Sequence, residues 1–166
     1  EKVLGLLADV VGDYLQSQID AGAAGVQMFD TWAGALSRDD YERFALPAAI
    51  RAFERVSGAP RIFYSKDLSA ILPIAKKTGA DVMGIDWRTD MAEARQMLGD
   101  MPVQGNLDPV ALYGPKEDIQ RKVRSIIEAA GPTGHVFNLG HGVLPTTPVE
   151  GVDAMMEAVK AWRWEG

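Results

Sequence analysis

Residues 137–148 read FNLGHGVLPTTP, and the interpretation of the whole fold begins from this stretch. An apolar strand over Val136–Leu139 ends in a Gly-His-Gly turn that carries His141, and a helix led by Pro148 follows. The loops after the strands of a (β/α) barrel carry its chemistry, so His141 occupies a position typical of a functional residue. A tight turn that merely holds a polar side chain is an equally open interpretation of so short a motif.

Strands and helices alternate along the rest of the chain. The predicted strands are Gly25–Phe29, Arg61–Ser65, Asp81–Asp86, Pro102–Asn106 and Val136–Leu139. The first predicted helix has apolar residues from Val3 to Ile19, and the second spans Ser37–Val56, with Ser37 as N-cap and a kink at Pro47. The next three span Leu68–Gly79, Thr89 or Asp90 to Leu98, and Lys116–Ala130. The last opens near Thr147, with Pro148 at its first position. About five strands are therefore each followed by a helix.

This alternation predicts an α/β fold with parallel strands, and short strands that are each followed by a helix favour a (β/α)8 TIM barrel. No G-x-G-x-x-G fingerprint follows the first strand, which disfavours a dinucleotide-binding sheet. A complete barrel needs eight units and about 250 residues. We therefore expect residues 1–166 to be the C-terminal part of a single barrel domain, with roughly the first three strands outside them.

Composition narrows the classes of function. The net charge is −6, which disfavours a nucleic-acid partner because no general basic surface is available. The chain contains no cysteine, which excludes a zinc thiolate site, a disulfide framework and a cysteine nucleophile within it and is compatible with a cytoplasmic location. The sequence has no predicted membrane span or targeting segment.

Polar residues follow the ends of the predicted strands and should meet at one rim of the barrel. The main candidates are Thr31 and His141, although Thr31 could simply satisfy the backbone at the end of its strand. Asp30 and Asp86 could act in acid–base chemistry or make structural pairs, and we rank both below His141. Lys66 could pair with Asp67 or Asp86, or offer a cation to a substrate carboxylate.

Other polar and aromatic residues receive structural interpretations. We expect Asn106 and Asp108 to fix the loop before Pro109, and His135 to be structural at the opposite end of the barrel from His141. Trp162 and Trp164 more plausibly cover a barrel face or a subunit contact than bind a ligand.

Five sequence motifs lie at the predicted strand ends, and together and in this order they resemble a known family: FDTWAG, FYSKD, GIDW, QGNLDP and FNLGHGVLPTTPVE. The chain resembles the C-terminal half of uroporphyrinogen decarboxylase, a family of (β/α) barrels in tetrapyrrole biosynthesis, over nearly all of its 166 residues. The resemblance implies a lyase that removes CO₂ from the four acetate side chains of uroporphyrinogen III to give coproporphyrinogen III, without cofactor or metal.

The resemblance also implies roles for individual residues. Thr31 matches the position of a substrate-binding hydroxyl, and His141 matches the histidine that contacts substrate, so both are predicted in substrate binding and His141 in catalysis. An imidazole can be neutral or cationic near neutral pH, which suits it to a carboxylated substrate. The glycines beside His141 would allow the backbone to approach a large planar ligand. The family's arginine-rich segment, central aspartate and active-site tyrosine belong to the N-terminal half, so we expect this chain alone to be inactive.

Two alternative functions stay open from sequence. Related barrels transfer methyl groups to thiols with zinc held by cysteine and histidine, and the absence of cysteine disfavours that role here. The chain could also be a non-catalytic tetrapyrrole-binding or assembly module. The resemblance favours the enzyme, and it implies a cytoplasmic homodimer whose small-molecule partner is a tetrapyrrole.

Overall fold

The structure is a computed structural model that describes residues 2–164. Its strands are β1 (Val26–Phe29), β2 (Arg61–Tyr64), β3 (Val82–Gly84), β4 (Val103–Leu107) and β5 (His135–Leu139). Its α-helices are α1 (Lys2–Asp20), α2 (Arg38–Asp40), α3 (Leu46–Phe53), α4 (Leu72–Ala75), α5 (Met91–Leu98), α6 (Lys116–Ala130) and α7 (Val149–Ala161). Within these residues, no helix combines the length and the apolar character that crossing a membrane requires.

The five strands form one sheet in the order β1-β2-β3-β4-β5, and every neighbouring pair is parallel. Each strand therefore lies beside the next one along the chain, with helical segments between them. This is the arrangement of consecutive (β/α) units in part of a barrel, as the sequence predicts. All five carboxyl ends lie at one rim.

The sheet is curved like a section of a barrel wall. The side-chain amide of Gln104 on β4 donates to the side-chain oxygen of Gln27 on β1 at 2.9 Å. In a flat sheet, strands this far apart are separated by about 14 Å, and their side chains stand perpendicular to the sheet. The two amides meet only because the sheet bends around them. Gln27 and Gln104 therefore mark its concave face.

The convex face of the sheet packs against the helices. Phe63, Met83 and Val103 on the three inner strands are fully buried in this layer. On β5, Phe137 and Leu139 pack against a second cluster between α6 and α7. Because side chains alternate along a strand, the neighbouring positions line the concave face.

The N-terminal helix α1 packs with one face on α3 and leaves its other face exposed. Gly12 allows this close approach, since a Cβ there would lie 2.7 Å from the Ala52 carbonyl oxygen. Five large apolar residues of α1 are more than half exposed: Val3, Leu6, Leu7, Val10 and Tyr14. Between α1, β1 and α3 lies an apolar groove of about 900 Å³.

The second predicted helix is divided into three segments. Ser37 caps it as expected, with its hydroxyl oxygen accepting from the Asp40 amide at 3.1 Å. A π-helical turn over Tyr41–Ala45 then precedes α3. Pro47 lies in the first turn of α3, where its missing N–H costs least, so the expected irregularity appears as a π-helical turn before the proline.

Two other predicted helix starts are wrong. The helix predicted from Leu68 begins at Leu72, because a helix started at Leu68 would bring Pro73 into its interior. Pro148 is the N-cap of α7 rather than its first helical residue. The other expected ends agree more closely: Asp90 caps α5, and α6 spans the predicted residues.

Gly151 tests the packing of α7. A Cβ at this position would overlap the Leu112 carbonyl oxygen, whereas a Cβ at Gly5 in α1 meets only the end of the Arg51 side chain at 3.8 Å. We expect Gly151→Ala to lower the free energy of unfolding by about 2 kcal/mol. Gly5→Ala, the matched control, should raise it by up to about 1 kcal/mol through helix propensity. Urea denaturation measures both, and equal stability of the two variants would contradict this packing.

His135 makes stability depend on pH. It begins β5, and its Nε2 lies 2.8 Å from the Gly105 carbonyl oxygen, which supports the predicted structural role. Burial lowers the pKa of His135, with a smaller lowering from Arg95 and an opposing effect of the Gly105 bond. The folded protein therefore favours the neutral ring, so this contribution is full above the ordinary pKa near 6.5 and is lost as pH falls through the lowered value.

Replacing His135 with glutamine keeps a side-chain donor and removes the titration. We expect the free energy of unfolding of His135→Gln to fall less between pH 7.5 and pH 5 than that of the parent. Thr133→Gln changes an exposed residue at the same entry to β5 and should keep the parent's slope. Denaturant melts across this range measure the slopes, and the same slope in His135→Gln and parent would refute the assignment.

Candidate active site

The loop after β1 is fastened to the end of β2. The Asp30 amide donates to the Tyr64 carbonyl at 2.9 Å, and the Lys66 amide donates to the Thr31 carbonyl at 3.2 Å. These two bonds continue the pairing of the strands beyond the sheet. The half-buried Thr31 therefore lies at the rim, beside the carboxyl end of β2.

His141 lies at the same rim, beside the aromatic rings of Tyr64 and Trp87. Its ring lies nearly parallel to the Tyr64 ring, with a centroid distance of 5.9 Å and an interplanar angle of 8°, and is 5.9 Å from the Trp87 ring at an angle of 27°. Its Nδ1 is 3.0 Å from the Tyr64 hydroxyl, while the residue as a whole is exposed. The ring is thus held by neighbours yet remains accessible.

The Tyr64 hydroxyl also donates to the Gly140 carbonyl at 2.6 Å. This bond ties the loop after β5 to the end of β2, although two strands lie between them in the sheet. Phe29, at the end of β1, contacts the Tyr64 ring edge to face at a centroid distance of 5.7 Å. Tyr64 therefore contacts both the end of β1, which precedes Thr31, and the loop after β5, which carries His141.

Gly140 has a structural role that the sequence does not reveal. A Cβ at this position would overlap the Trp87 backbone nitrogen, so glycine allows the loop to lie directly on the end of β3. A Cβ at Gly142 would meet no atom within 4 Å. Of the two glycines beside His141, Gly140 serves packing against Trp87 and Gly142 faces open space.

The side chains of Asp86 and Asn106 hold the loops at the rim in place. Asp86 is fully buried; its carboxylate accepts from the Asp67 amide at 2.9 Å and from the Thr89 hydroxyl at 2.7 Å. The Asn106 side-chain amide donates to the carbonyls of Asp86 and Thr89 at 3.0 and 2.6 Å. Asp108 caps its own loop by accepting from the Val110 amide at 2.9 Å. Asp86 and Asp108 thus have the structural contacts expected of them, whereas Asn106 fastens the loop after β3 rather than the predicted loop before Pro109.

Lys66 contacts an aromatic ring rather than Asp67 or Asp86. Its Nζ lies 3.7 Å from the centroid of the exposed Trp32 ring, a cation–π geometry. Asp67 pairs instead with Arg88 at 2.5 Å. The half-buried Lys66 and the exposed Arg88 therefore place two cationic groups at the rim of a chain whose overall charge is negative.

Asp30, at the end of β1, is an acid in an apolar environment. Burial raises its pKa, because its carboxyl group lies against the apolar groove beside β1. The nearby Tyr41 hydroxyl also has a raised pKa, chiefly through burial and secondly through the charge of Asp30. Asp30 therefore holds its proton to a higher pH than an ordinary aspartate does.

The sequence indicated His141 and Thr31 but missed Tyr64 and Trp87, the two rings that hold His141. One signal for Tyr64 is present: it follows the fully buried Phe63, so alternation turns its polar ring toward the concave face. No comparable signal links either ring to His141, because each contact joins residues far apart in the sequence, 77 positions in the case of Tyr64.

Comparisons with known proteins agree with this architecture. The family model described as uroporphyrinogen decarboxylase (URO-D) matches residues 1–162. The uroporphyrinogen decarboxylase of Myxococcus xanthus is 46% identical over 161 residues, and that of Gloeobacter violaceus is 47% identical over 164 residues. These alignments cover 95% and 96% of this chain but 46% and 47% of the relatives. The chain therefore spans about half the length of these curated relatives.

A solved structure shows the same partial fold. A methyltransferase from Methanosarcina mazei superposes with a TM-score of 0.83 and 20% sequence identity, over 92% of this chain and 46% of that one. At this identity the likeness establishes the fold alone, which is part of a (β/α) barrel. Because the family model matches almost the whole chain, the chain belongs to the uroporphyrinogen decarboxylase family.

Proposed function

We propose that the protein carrying this chain decarboxylates the four acetate side chains of uroporphyrinogen III to give coproporphyrinogen III, without metal or organic cofactor. The observation that carries the proposal is the position of His141, which is exposed at the strand-end rim, contacts the Tyr64 hydroxyl and lies beside Trp87. The reaction itself is inferred from the family to which the chain belongs.

The reaction suits a site made of hydrogen-bonding and cationic groups. A protonated pyrrole ring accepts the electron pair released when the bond between the acetate methylene and its carboxylate breaks, and CO₂ leaves. The methylene carbon then takes up a proton and becomes a methyl group, and the ring releases the proton that it had gained and returns to its aromatic state. Each acetate thus consumes one proton overall, so the site must deliver protons and stabilise the charged intermediate.

His141 and Thr31 take complementary roles in this proposal. The exposed imidazole contacts a substrate carboxylate and can pass a proton near the pyrrole. The hydroxyl of Thr31, in the loop after β1, donates a hydrogen bond to the substrate. Lys66, held over Trp32, supplies a positive charge for another carboxylate. Locally placed cations are needed because the chain as a whole is acidic.

We also propose that further barrel strands and helices of a full-length protein complete the site. The sheet leaves β1 and β5 at its edges, and the apolar groove beside α1 and β1 has the composition of a protein interior. Unpaired strand edges and a large apolar groove are features that a closed barrel would cover. A cytoplasmic homodimer, which the family resemblance implies, forms part of the same proposal.

Substitutions of the two rim residues test the proposed site in the full-length protein. We expect His141→Ala to lower kcat/KM for uroporphyrinogen III by about 100-fold, the effect of losing a proton-transfer group. Thr31→Val should lower it roughly tenfold through loss of one hydrogen bond. Because His141 is exposed, its truncation should leave the melting temperature nearly unchanged.

Anaerobic turnover assays with thermal melts measure these effects. Thr133→Val, an exposed threonine next to the start of β5, is the matched control and should retain parental kinetics. Parental kinetics in His141→Ala would remove His141 from the site. Tight tetrapyrrole binding by the full-length parent without turnover would instead favour a non-catalytic binding protein.

The need for the remaining barrel gives a separate prediction. The isolated 166-residue chain should show no measurable turnover of uroporphyrinogen III, because its rim contributes groups from only five strands. The assay compares it with the full-length protein at equal concentration, with circular dichroism as the check that the isolated chain is folded. Turnover by the isolated chain at a rate near that of the full-length protein would contradict the proposed incomplete site.

A further inference from the structure

The Tyr64 hydroxyl makes two contacts that constrain each other. It lies 2.6 Å from the Gly140 carbonyl oxygen and 3.0 Å from Nδ1 of His141. Tyr64 itself is buried, at 5% exposure. Burial, with smaller effects of the carboxylates of Asp86 and Asp67, raises the pKa of this hydroxyl. The hydroxyl therefore keeps its single proton.

That single proton determines the state of the histidine. A carbonyl oxygen has no proton to give, so the short contact with Gly140 uses the proton of the Tyr64 hydroxyl. The hydroxyl can then only accept in its contact with His141, and Nδ1 must donate. In a neutral imidazole only one nitrogen carries a proton, so Nδ1–H leaves the lone pair on Nε2.

We propose that Tyr64 is a positioning residue that holds the neutral His141 ring in its Nδ1–H tautomer and so makes Nε2 the nitrogen that exchanges a proton with substrate. The relevance to catalysis rests on the proposed function, whereas the tautomer is a property of the folded chain. In this arrangement Nε2 faces away from Tyr64.

Neighbouring contacts help to hold His141 and the Gly140 carbonyl in these positions. The Trp87 ring lies beside the imidazole, at a centroid distance of 5.9 Å. Gly140 lies directly against the Trp87 backbone, so the carbonyl that accepts from Tyr64 cannot easily shift. The hydrogen bond from the Tyr64 hydroxyl to Gly140 therefore fixes the loop. It also fixes the His141 tautomer, because it leaves the hydroxyl only a lone pair with which to contact Nδ1.

The chain contains an internal reference for this inference. Its other histidine, His135, directs Nε2 at the Gly105 carbonyl oxygen at 2.8 Å. By the same reasoning that contact requires Nε2–H. The two histidines of the chain should therefore be found in opposite neutral tautomers, and a single spectrum can report both.

The test is a two-dimensional NMR experiment that correlates the ring protons and nitrogens of histidine in ¹⁵N-labelled full-length protein, at a pH where both rings are neutral. The protonated and unprotonated nitrogens differ widely in chemical shift, and His141→Asn and His135→Gln assign the signals. We expect the Nδ1–H pattern for His141 and the Nε2–H pattern for His135. In Tyr64→Phe, which keeps the aromatic ring, His141 should move toward Nε2–H while His135 stays unchanged.

Tyr113→Phe is the matched control. It removes a different tyrosine hydroxyl, which contacts the Thr146 hydroxyl at 2.7 Å, and should leave the pattern of His141 as in the parent. An Nε2–H pattern for His141 in the parent would overturn the inference. Retention of Nδ1–H in Tyr64→Phe would overturn it equally.

Kinetics separate this inference from the proposed function. We expect Tyr64→Phe to lower kcat for uroporphyrinogen III about tenfold with a smaller change in KM, because one hydrogen bond that orients the proton-exchanging group is lost. Tyr113→Phe should keep parental values. Absence of turnover in the parent would reject the proposed function and leave the tautomer result standing, whereas parental kcat in Tyr64→Phe would reject the positioning role alone.

Discussion

The hydrogen bond from the Tyr64 hydroxyl to the Gly140 carbonyl is the contact on which the candidate site depends. It joins the carboxyl end of β2 to the loop after β5 at 2.6 Å, across the concave side of the sheet. Because all five strands are parallel, their last residues stand at one rim, and this bond connects two sides of that rim. His141 follows Gly140 directly and is carried to the Tyr64 ring by the same connection.

The two faces of the sheet have different chemical characters, and the difference supports a binding role for the concave one. The convex face buries Phe63, Met83 and Val103 under helices. The concave face has the Gln27–Gln104 amide pair near its middle and aromatic rings at its rim. Amides and aromatic rings suit a ligand that is flat and apolar at its centre and carries polar groups around its edge.

Local patterns predicted most of the fold, because five short apolar segments are each bounded by glycine, proline or polar residues. All five strands lie within two residues of their expected ends, and α6 spans its expected residues. The helix predicted from Leu68 begins at Leu72, because apolar spacing continues through Pro73 whereas a helix interior does not tolerate proline. His141 and Thr31 could be indicated because they follow strands. The bond between Tyr64 and the loop after β5 could not, because it joins residues 76 positions apart.

The most direct measurement is a crystal structure of the full-length protein with coproporphyrinogen III bound under anaerobic conditions. The account predicts the tetrapyrrole at the carboxyl-terminal rim, with the Thr31 hydroxyl and Nε2 of His141 each within about 3.2 Å of one of its polar atoms. It would be contradicted by a product molecule bound elsewhere, or bound at this rim with neither Thr31 nor His141 in contact.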